Sequence, residues 1–363
     1  MIGRVMHIPD GYLSPATCAA LFAGAAPFWH AAVRRVRRQL HTRLVPVLSL
    51  VAAFSFVVMM FNIPLPGGTT GHAVGVGLGA ALVGPWASIL AISVALVIQA
   101  LLFGDGGITA IGANCFNIAI VGSLVAAAVY RVLAHGAPLD APRRAMAAGV
   151  AGYVAINAAA LCTAVEFGVQ PMFYRDATGA PLYAPYPLAV AVPAMMLGHL
   201  TIAGLAEALA AAGVVRFVQR TDPALLAAGA GSVAPAQAPR GGLRAAWIGL
   251  GVLLVLTPLG LLAGGAAWGE WSASDFADPV GRHEIAAASL GHAPPEGAPQ
   301  GLERLASLWT APIADYAPSW VGSPALGYFL SAMFGTGVVI LASVGIGALV
   351  RRRAGADPDT ATT

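Results

Sequence analysis

Met6-His7 and His72 are the residues of this sequence best suited to hold a metal ion. With Met6 as the first residue of the chain, its α-amine, the His7 backbone nitrogen and a His7 ring nitrogen would chelate one ion. A five-membered ring closes through the backbone and a six-membered ring through the imidazole. Such a nitrogen set suits Ni(II) or Cu(II) in a planar geometry, and Co(II) less tightly. A fourth nitrogen completes the square, and His72, in Gly67-Gly68-Thr69-Thr70-Gly71-His72, is the candidate. The glycines there permit irregular backbone and the close approach of another segment. Each histidine also fits a plainer role, His7 in a frayed terminus and His72 as a hydrogen-bonded side chain at a membrane boundary.

The elements that must position these residues are membrane spans. Of the 363 residues, 58% are hydrophobic and 10% charged, whereas about a quarter of a soluble domain is charged. The length accommodates roughly eight to ten spans of about twenty residues. All 19 basic residues are arginine. A Walker A loop needs its lysine to hold the β- and γ-phosphates, so ATP-driven work falls to another subunit. A net charge of +3 gives no case for nucleic acid. Cys18, Cys115 and Cys162 lack metal-type spacing and read as small buried hydrophobes. No HExxH, GxSxG or DxDG constellation points to an enzyme.

Apolar runs predict spans over about 14–32, 44–62, a short glycine-dense 71–84, 85–103, a helix ending at Arg131, 145–168 and 188–215. Arg34, Arg35, Arg37, Arg38 and Arg43, then Arg143 and Arg144, then Arg216 and Arg220 mark the cytoplasmic side. That assignment puts the N-terminus, His7 and His72 together outside. Residues 221–242, rich in Ala, Gly and Pro, read as a cytoplasmic linker. Two further spans, about 245–267 and 322–350, enclose a polar loop, 268–321. In that loop Glu270, Asp275, Asp278, Glu284, Glu296, Glu303 and Asp315 outnumber Arg282 and Arg304, as suits an extracytoplasmic segment. Arg351-Arg352-Arg353 places the tail, 354–363, inside. The expected fold is an all-α polytopic membrane protein, a seven-helix bundle over 6–220 plus a two-helix C-terminal module over 243–353.

Gln99, Asn114 and Asn117 flank the turn Gly104-Asp105-Gly106-Gly107. Gln99, Asn114, Asp105 and Asp10 are candidates to hydrogen-bond and orient the metal-binding groups; the amides equally fit interhelical hydrogen bonding. Glu207, in the last span of the first module, is an intramembrane carboxylate and a candidate for coupling. Pairing with His199 or with a neighbouring subunit is its alternative. Asp278, Glu303 and Asp315 are candidates for loading metal from the outer loop.

Met6-His7-Ile8-Pro9-Asp10-Gly11-Tyr12-Leu13-Ser14-Pro15 resembles the N-terminal signature of the CbiM/NikM proteins. These are the substrate-binding (S) components of cobalt and nickel energy-coupling-factor transporters. Pro66-Gly67-Gly68-Thr69-Thr70-Gly71-His72, Val83-Gly84-Pro85-Trp86 and the run Gln99 to Asn114 resemble the family's central motifs. The resemblance implies that Met6, His7 and His72 are the metal ligands and that the N-terminus tucks inward from the extracytoplasmic face. It implies Ni(II) or Co(II) as transported substrate, with no organic cofactor, and a link through cobalt to cobalamin biosynthesis. The implied partners are a transmembrane coupling (T) subunit and two ABC-type ATPase subunits, in a bacterial or archaeal cytoplasmic membrane.

The second module resembles the two-span CbiN/NikN-type partner, or PDGLE domain, with Pro299-Gln300-Gly301-Leu302-Glu303 where the family has Pro-Asp-Gly-Leu-Glu. The family's chain starts at the methionine matching Met6, so residues 1–5 are expected to be a start artefact or to be removed. Outside that family, a self-sufficient channel or ion-coupled permease is the alternative. It would show paired repeats and several buried charges, and neither is evident here.

Overall fold

The computed structural model describes residues 6–39, 44–227 and 240–355. The expected extension 1–5, residues 228–239 of the linker and residues 356–363 of the tail lie outside the described residues.

The first module runs α1 (Pro15–Gln39), α2 (Leu44–Met59), a two-stranded hairpin of β1 (Ile63–Pro64) and β2 (Thr70–Gly71), α3 (Val76–Phe103), α4 (Ile111–Leu133), α5 (Pro142–Phe173) and α6 (Leu188–Thr221). The second runs α7 (Arg240–Leu256), three short helices α8 (Ala273–Ala277), α9 (Pro279–Ala288) and α10 (Gln300–Leu305), and α11 (Pro324–Gly355). Among the described residues 7 helices are long and apolar enough to cross a membrane, and α2 contributes a shorter apolar stretch, Val45–Met59. The separately predicted segments 71–84 and 85–103 are two halves of α3. The helix breaks at Gly84 (φ 73°, ψ 175°) just ahead of Pro85. Proline cannot donate to the preceding turn and its ring clashes there, and glycine tolerates the positive φ that results. Counting both halves, the first module has the expected seven helical segments.

Small residues let the helices touch at the backbone, the usual means of association in lipid. A Cβ on Gly77 of α3 would lie 2.5 Å from the Ala148 carbonyl of α5, and one on Gly152 of α5 would lie 3.0 Å from the Glu207 side chain of α6. In the second module α11 packs on α2, where the ring of Phe56 occupies the space a Cβ on Gly335 would need.

The predicted polar loop 268–321 folds against the first module. Trp268, Trp271, Phe276 and Ile285 share an apolar core with Tyr12 and Phe167. Gly11 (φ +89°) meets this cover directly, since a Cβ there would sit 2.5 Å from the Gly301 carbonyl. Gly301 itself donates its N–H to the Leu182 carbonyl at 2.7 Å.

Candidate metal centre

The segment from Met6 to Asp10 is laid onto the turn between α3 and α4 by paired hydrogen bonds. Ile8 N–H donates to Asn114 Oδ1 (3.0 Å), and Asn114 Nδ2 donates back to the Ile8 carbonyl (3.2 Å). Gly107 N–H donates to the same carbonyl at 2.9 Å. Asp10 accepts from Ile108 N–H (3.0 Å), Thr109 N–H (2.8 Å) and the Thr109 hydroxyl. Gly107 must be glycine, because a Cβ there would stand 2.3 Å from the Asp10 nitrogen. These contacts bury His7 to 3% exposure.

His72 arrives from the other side, one residue after the β1–β2 hairpin. Thr70 N–H donates to the Ala266 carbonyl at 3.1 Å, which ties the hairpin to the second module. Beyond His72, the N–H groups of Val74 (2.7 Å), Gly75 (2.8 Å) and Gly77 (3.2 Å) all donate to the Glu207 carboxylate. A buried carboxylate at the start of α3 satisfies N–H groups that have no partner within the helix and complements the positive end of its dipole. Glu207 thus holds the backbone that carries His72, and its partners are these N–H groups rather than His199.

The two imidazoles meet. Their ring centroids are 5.2 Å apart with the planes inclined at 59°. With metal–nitrogen bonds of about 2 Å, two imidazoles on one ion have centroids roughly 4.5 Å apart at a right angle and about 6.5 Å apart in a line. The observed separation lies inside that range. Met6 N–H and His7 Nδ1 converge on a single atom, Asp105 Oδ1, at 2.8 and 3.0 Å. Two of the three nitrogens that a terminal chelate would use therefore already face one point. Tyr316 of the second module donates its hydroxyl to Asp105 Oδ2 at 2.7 Å, and Gln99 Nε2 donates to that hydroxyl at 3.1 Å.

Burial and the neighbouring His7 lower the pKa of His72 to about 4, against the pull of Asp105 and the Ala73 and Met6 carbonyls. The ring is accordingly neutral at physiological pH, the state a metal ligand requires. Burial alone would raise Asp105, but His7, Tyr316 and the Met6 N–H together hold it below the ordinary carboxylate range.

A cavity of about 80 Å³, room for several waters, lies at the histidines. Met6, His7, His72, His199, Trp268 and Glu270 are among the residues lining it. His7 Nε2, Trp268 Nε1 and Glu270 Oε2 are buried without a hydrogen-bond partner. Burial, with Asp105 second, drives the Glu270 pKa well above its usual value. Among the described residues no group of three His, Cys, Asp or Glu side chains could hold a metal ion. A centre that draws half its donors from the backbone does not need such a group.

Of the residues singled out in the sequence, Met6, His7, His72, Asp105 and Asn114 come together here, with Gln99 one hydrogen bond further back. Asp10 fixes the backbone nearby. Asn117 lies apart and donates to Glu166 at 2.8 Å. Asp278 caps α9 through Gly281 N–H at 2.9 Å, Glu303 is exposed on α10, and Asp315 takes a left-handed backbone (φ 56°) beside Tyr316. None of these last three lines the cavity; Glu270, Trp268 and Thr70 do. Sequence reasoning did not single out Glu270 or Tyr316. The one available signal was an acid between two tryptophans, Trp268-Gly269-Glu270-Trp271, directly after a span.

A bundle of spanning helices around a buried, nitrogen-rich cavity, covered by a second module, defines a polytopic membrane protein with an internal cation-sized site. The cobalt uptake substrate-specific transmembrane region (CbiM) matches residues 7–225, and the PDGLE domain matches residues 244–352. The chain belongs to the CbiM family, in the form fused to a PDGLE domain. It is 58% identical to the fused nickel transport protein NikMN of Rhodobacter capsulatus, over 96% of this chain and 99% of the relative. It is 43% identical to the probable fused nickel transport protein LarMN of Lactiplantibacillus plantarum, over 90% and 93%. A crystal structure of a truncated transition metal transporter superimposes with a TM-score of 0.55 at 47% identity, covering 59% of this chain and 99% of that one.

Proposed function

We propose that this nickel or cobalt transport protein is the metal-capturing subunit of an ATP-driven uptake system, taking Ni(II) or Co(II) from the extracytoplasmic side. The observation that carries the reading is the meeting of His7 and His72, centroids 5.2 Å apart, with the Met6 nitrogen and His7 Nδ1 directed at one point. The family is one of metal transport, not of catalysis.

In this reading the functional chain begins at Met6. The free amine, the His7 backbone nitrogen and His7 Nδ1 take three positions around the ion, and His72 takes the fourth. Asp105 hands over the two nitrogens it holds and keeps its bond to Tyr316. Binding releases protons from the amine and the His7 amide, so affinity falls in acid. A chain without lysine has no P-loop, and a transmembrane coupling subunit with paired ATPases supplies the energy for release. The four-nitrogen set accepts either metal.

Metal titration of the detergent-purified protein with and without His72→Ala tests the ligand set. We expect Ni(II) and Co(II) affinity to fall by more than about a hundredfold in the variant, an effect of the size seen on loss of a direct ligand or its support, with the helical content kept. Wild-type affinity in His72→Ala would refute the assignment, and a functional chain whose intact mass retains residues 1–5 would refute the start. Uptake of radiolabelled metal with and without the ATPase subunits tests the coupling.

A further inference from the structure

Glu270 has no role in the nitrogen centre just described, and among the described residues its Oε2 has no hydrogen-bond partner. It sits at the start of the loop that the second module folds over the first, and it lines the cavity shared by His7 and His72. The Oε2 atom is also buried. Burying a carboxyl oxygen unpaired is costly unless a cation or a donor meets it at some stage. Asp105, the other carboxylate at the centre, already has donors on both oxygens, Met6 N–H and His7 Nδ1 on Oδ1 and Tyr316 OH on Oδ2.

A second cavity lies alongside. It is small, about 20 Å³, and is lined by Gly68, Thr69, Gly265, Trp271, Asp275 and Glu284 among others. Thr69 borders both cavities, and Trp271 is the next residue after Glu270. The seam between the modules is made of bare backbone, since a Cβ on Gly265 would lie 2.4 Å from the Gly68 carbonyl. Glu284, which lines this second cavity, is exposed at the surface.

We propose that Glu270 is a transfer ligand contributed by the second module, receiving a partly hydrated divalent cation within the shared cavity and passing it to the Met6, His7 and His72 nitrogens. A carboxylate oxygen suits this step. It accepts a cation that still carries water and holds it more weakly than four nitrogens hold Ni(II) or Co(II), so the ion moves on rather than resting there. The inference deepens the metal-capture reading and rests on it.

The test is the rate of loading of full-length, metal-free protein in detergent, followed by stopped-flow quenching of tryptophan fluorescence on addition of Ni(II); Trp268 lines the cavity. Glu270→Gln is expected to load about tenfold more slowly while reaching the same stoichiometry. Glu270→Asp, which keeps a carboxyl group able to ligate the ion, is expected to stay within about threefold of wild type. Should the glutamine variant not fold, Glu270→Met gives the same reading. Wild-type loading in both uncharged variants, or equal slowing in Glu270→Asp and Glu270→Gln, overturns the proposal. His72→Ala separates the two readings: if it alone loses Ni(II), the centre stands whatever Glu270 does, and if it binds as wild type, the centre fails and the transfer step fails with it.

Discussion

Asp105, which is buried, and Glu270, which is half-buried with its Oε2 enclosed, are two acids at one centre, and they are equipped in opposite ways. Asp105 comes from the first module, behind His7, and is engaged by Met6 N–H, His7 Nδ1 and the Tyr316 hydroxyl. Glu270 comes from the second module, at the cavity in front, and its buried oxygen meets no donor. Their ionisation follows: hydrogen bonds and His7 hold Asp105 low against its burial, whereas burial with no such relief drives Glu270 high. A carboxylate with a donor on each oxygen can position other groups. One whose lone pairs are uncommitted is available for something that arrives. Glu207 extends the contrast, with three backbone N–H partners and a purely positioning place under the His72 segment.

The largest separation between the two should come from removing charge at Asp105. Asp105→Asn replaces the common acceptor of Met6 N–H and His7 Nδ1 by a weaker one that carries its own N–H donors. Supporting groups of this kind are worth about 10- to 100-fold in metal affinity, and we expect Ni(II) binding by calorimetry to weaken toward the upper end. The melting temperature should fall as well, since buried partners are left unpaired. Glu270→Gln removes no hydrogen bond and should leave the melting temperature level or raised. A lower melting temperature in Glu270→Gln than in Asp105→Asn would reverse the distinction.

Tyr316→Phe probes the same carboxylate from the second module at smaller scale. It deletes one donor to Asp105 at 2.7 Å and the acceptor of Gln99 at 3.1 Å. One hydrogen bond to a charged group is worth about 1.5–3 kcal/mol, so about a tenfold loss of Ni(II) affinity is the expected reading. Unchanged binding would mean that Asp105 keeps its orientation without the second module.

These residues differ in how far the sequence announced them. The spans were legible from their apolar runs, with arginine clusters in the longer loops expected to be cytoplasmic, and the break in α3 is written as Gly84-Pro85. His7 and His72 were singled out because the same topology puts both outside, and their rings lie 5.2 Å apart. The capping role of Asp278 was open to reading, as an Asp just before the Pro of a short helix, and went unread in favour of loading. Tyr316 and Glu270 were not legible as members of the centre. The Tyr316–Asp105 bond joins residues 211 positions apart; Tyr316 comes inward by stacking on Phe103, and the part of the loop that carries Glu270 by packing on Tyr12 and Phe167. Loop charge was counted to assign a side of the membrane, a question to which every acid contributes alike. Which acid turns inward is decided by packing, and no periodicity encodes it.

The subtlest difference between the two carboxylates is the sign of their pH dependence. The folded pKa of Asp105 lies below its ordinary 3.8, so its contribution to stability is present above that value and is lost as pH falls through the folded pKa. The folded pKa of Glu270 lies above its ordinary 4.5. Its unfolded form gives up a proton from about pH 4.5 upward while the folded form retains it, so stability is lost as pH rises, by at most about 1.4 kcal/mol per pH unit for one proton. Thermal melts of metal-free protein between pH 5 and 7 therefore separate them. Wild type should lose ground against Glu270→Gln as pH rises across that interval, and Asp105→Asn should differ from wild type by a constant amount there, converging with it only in stronger acid. A Glu270→Gln difference that is flat with pH would mean that the Glu270 carboxyl finds a donor in solution, and the contrast with Asp105 would then be one of degree.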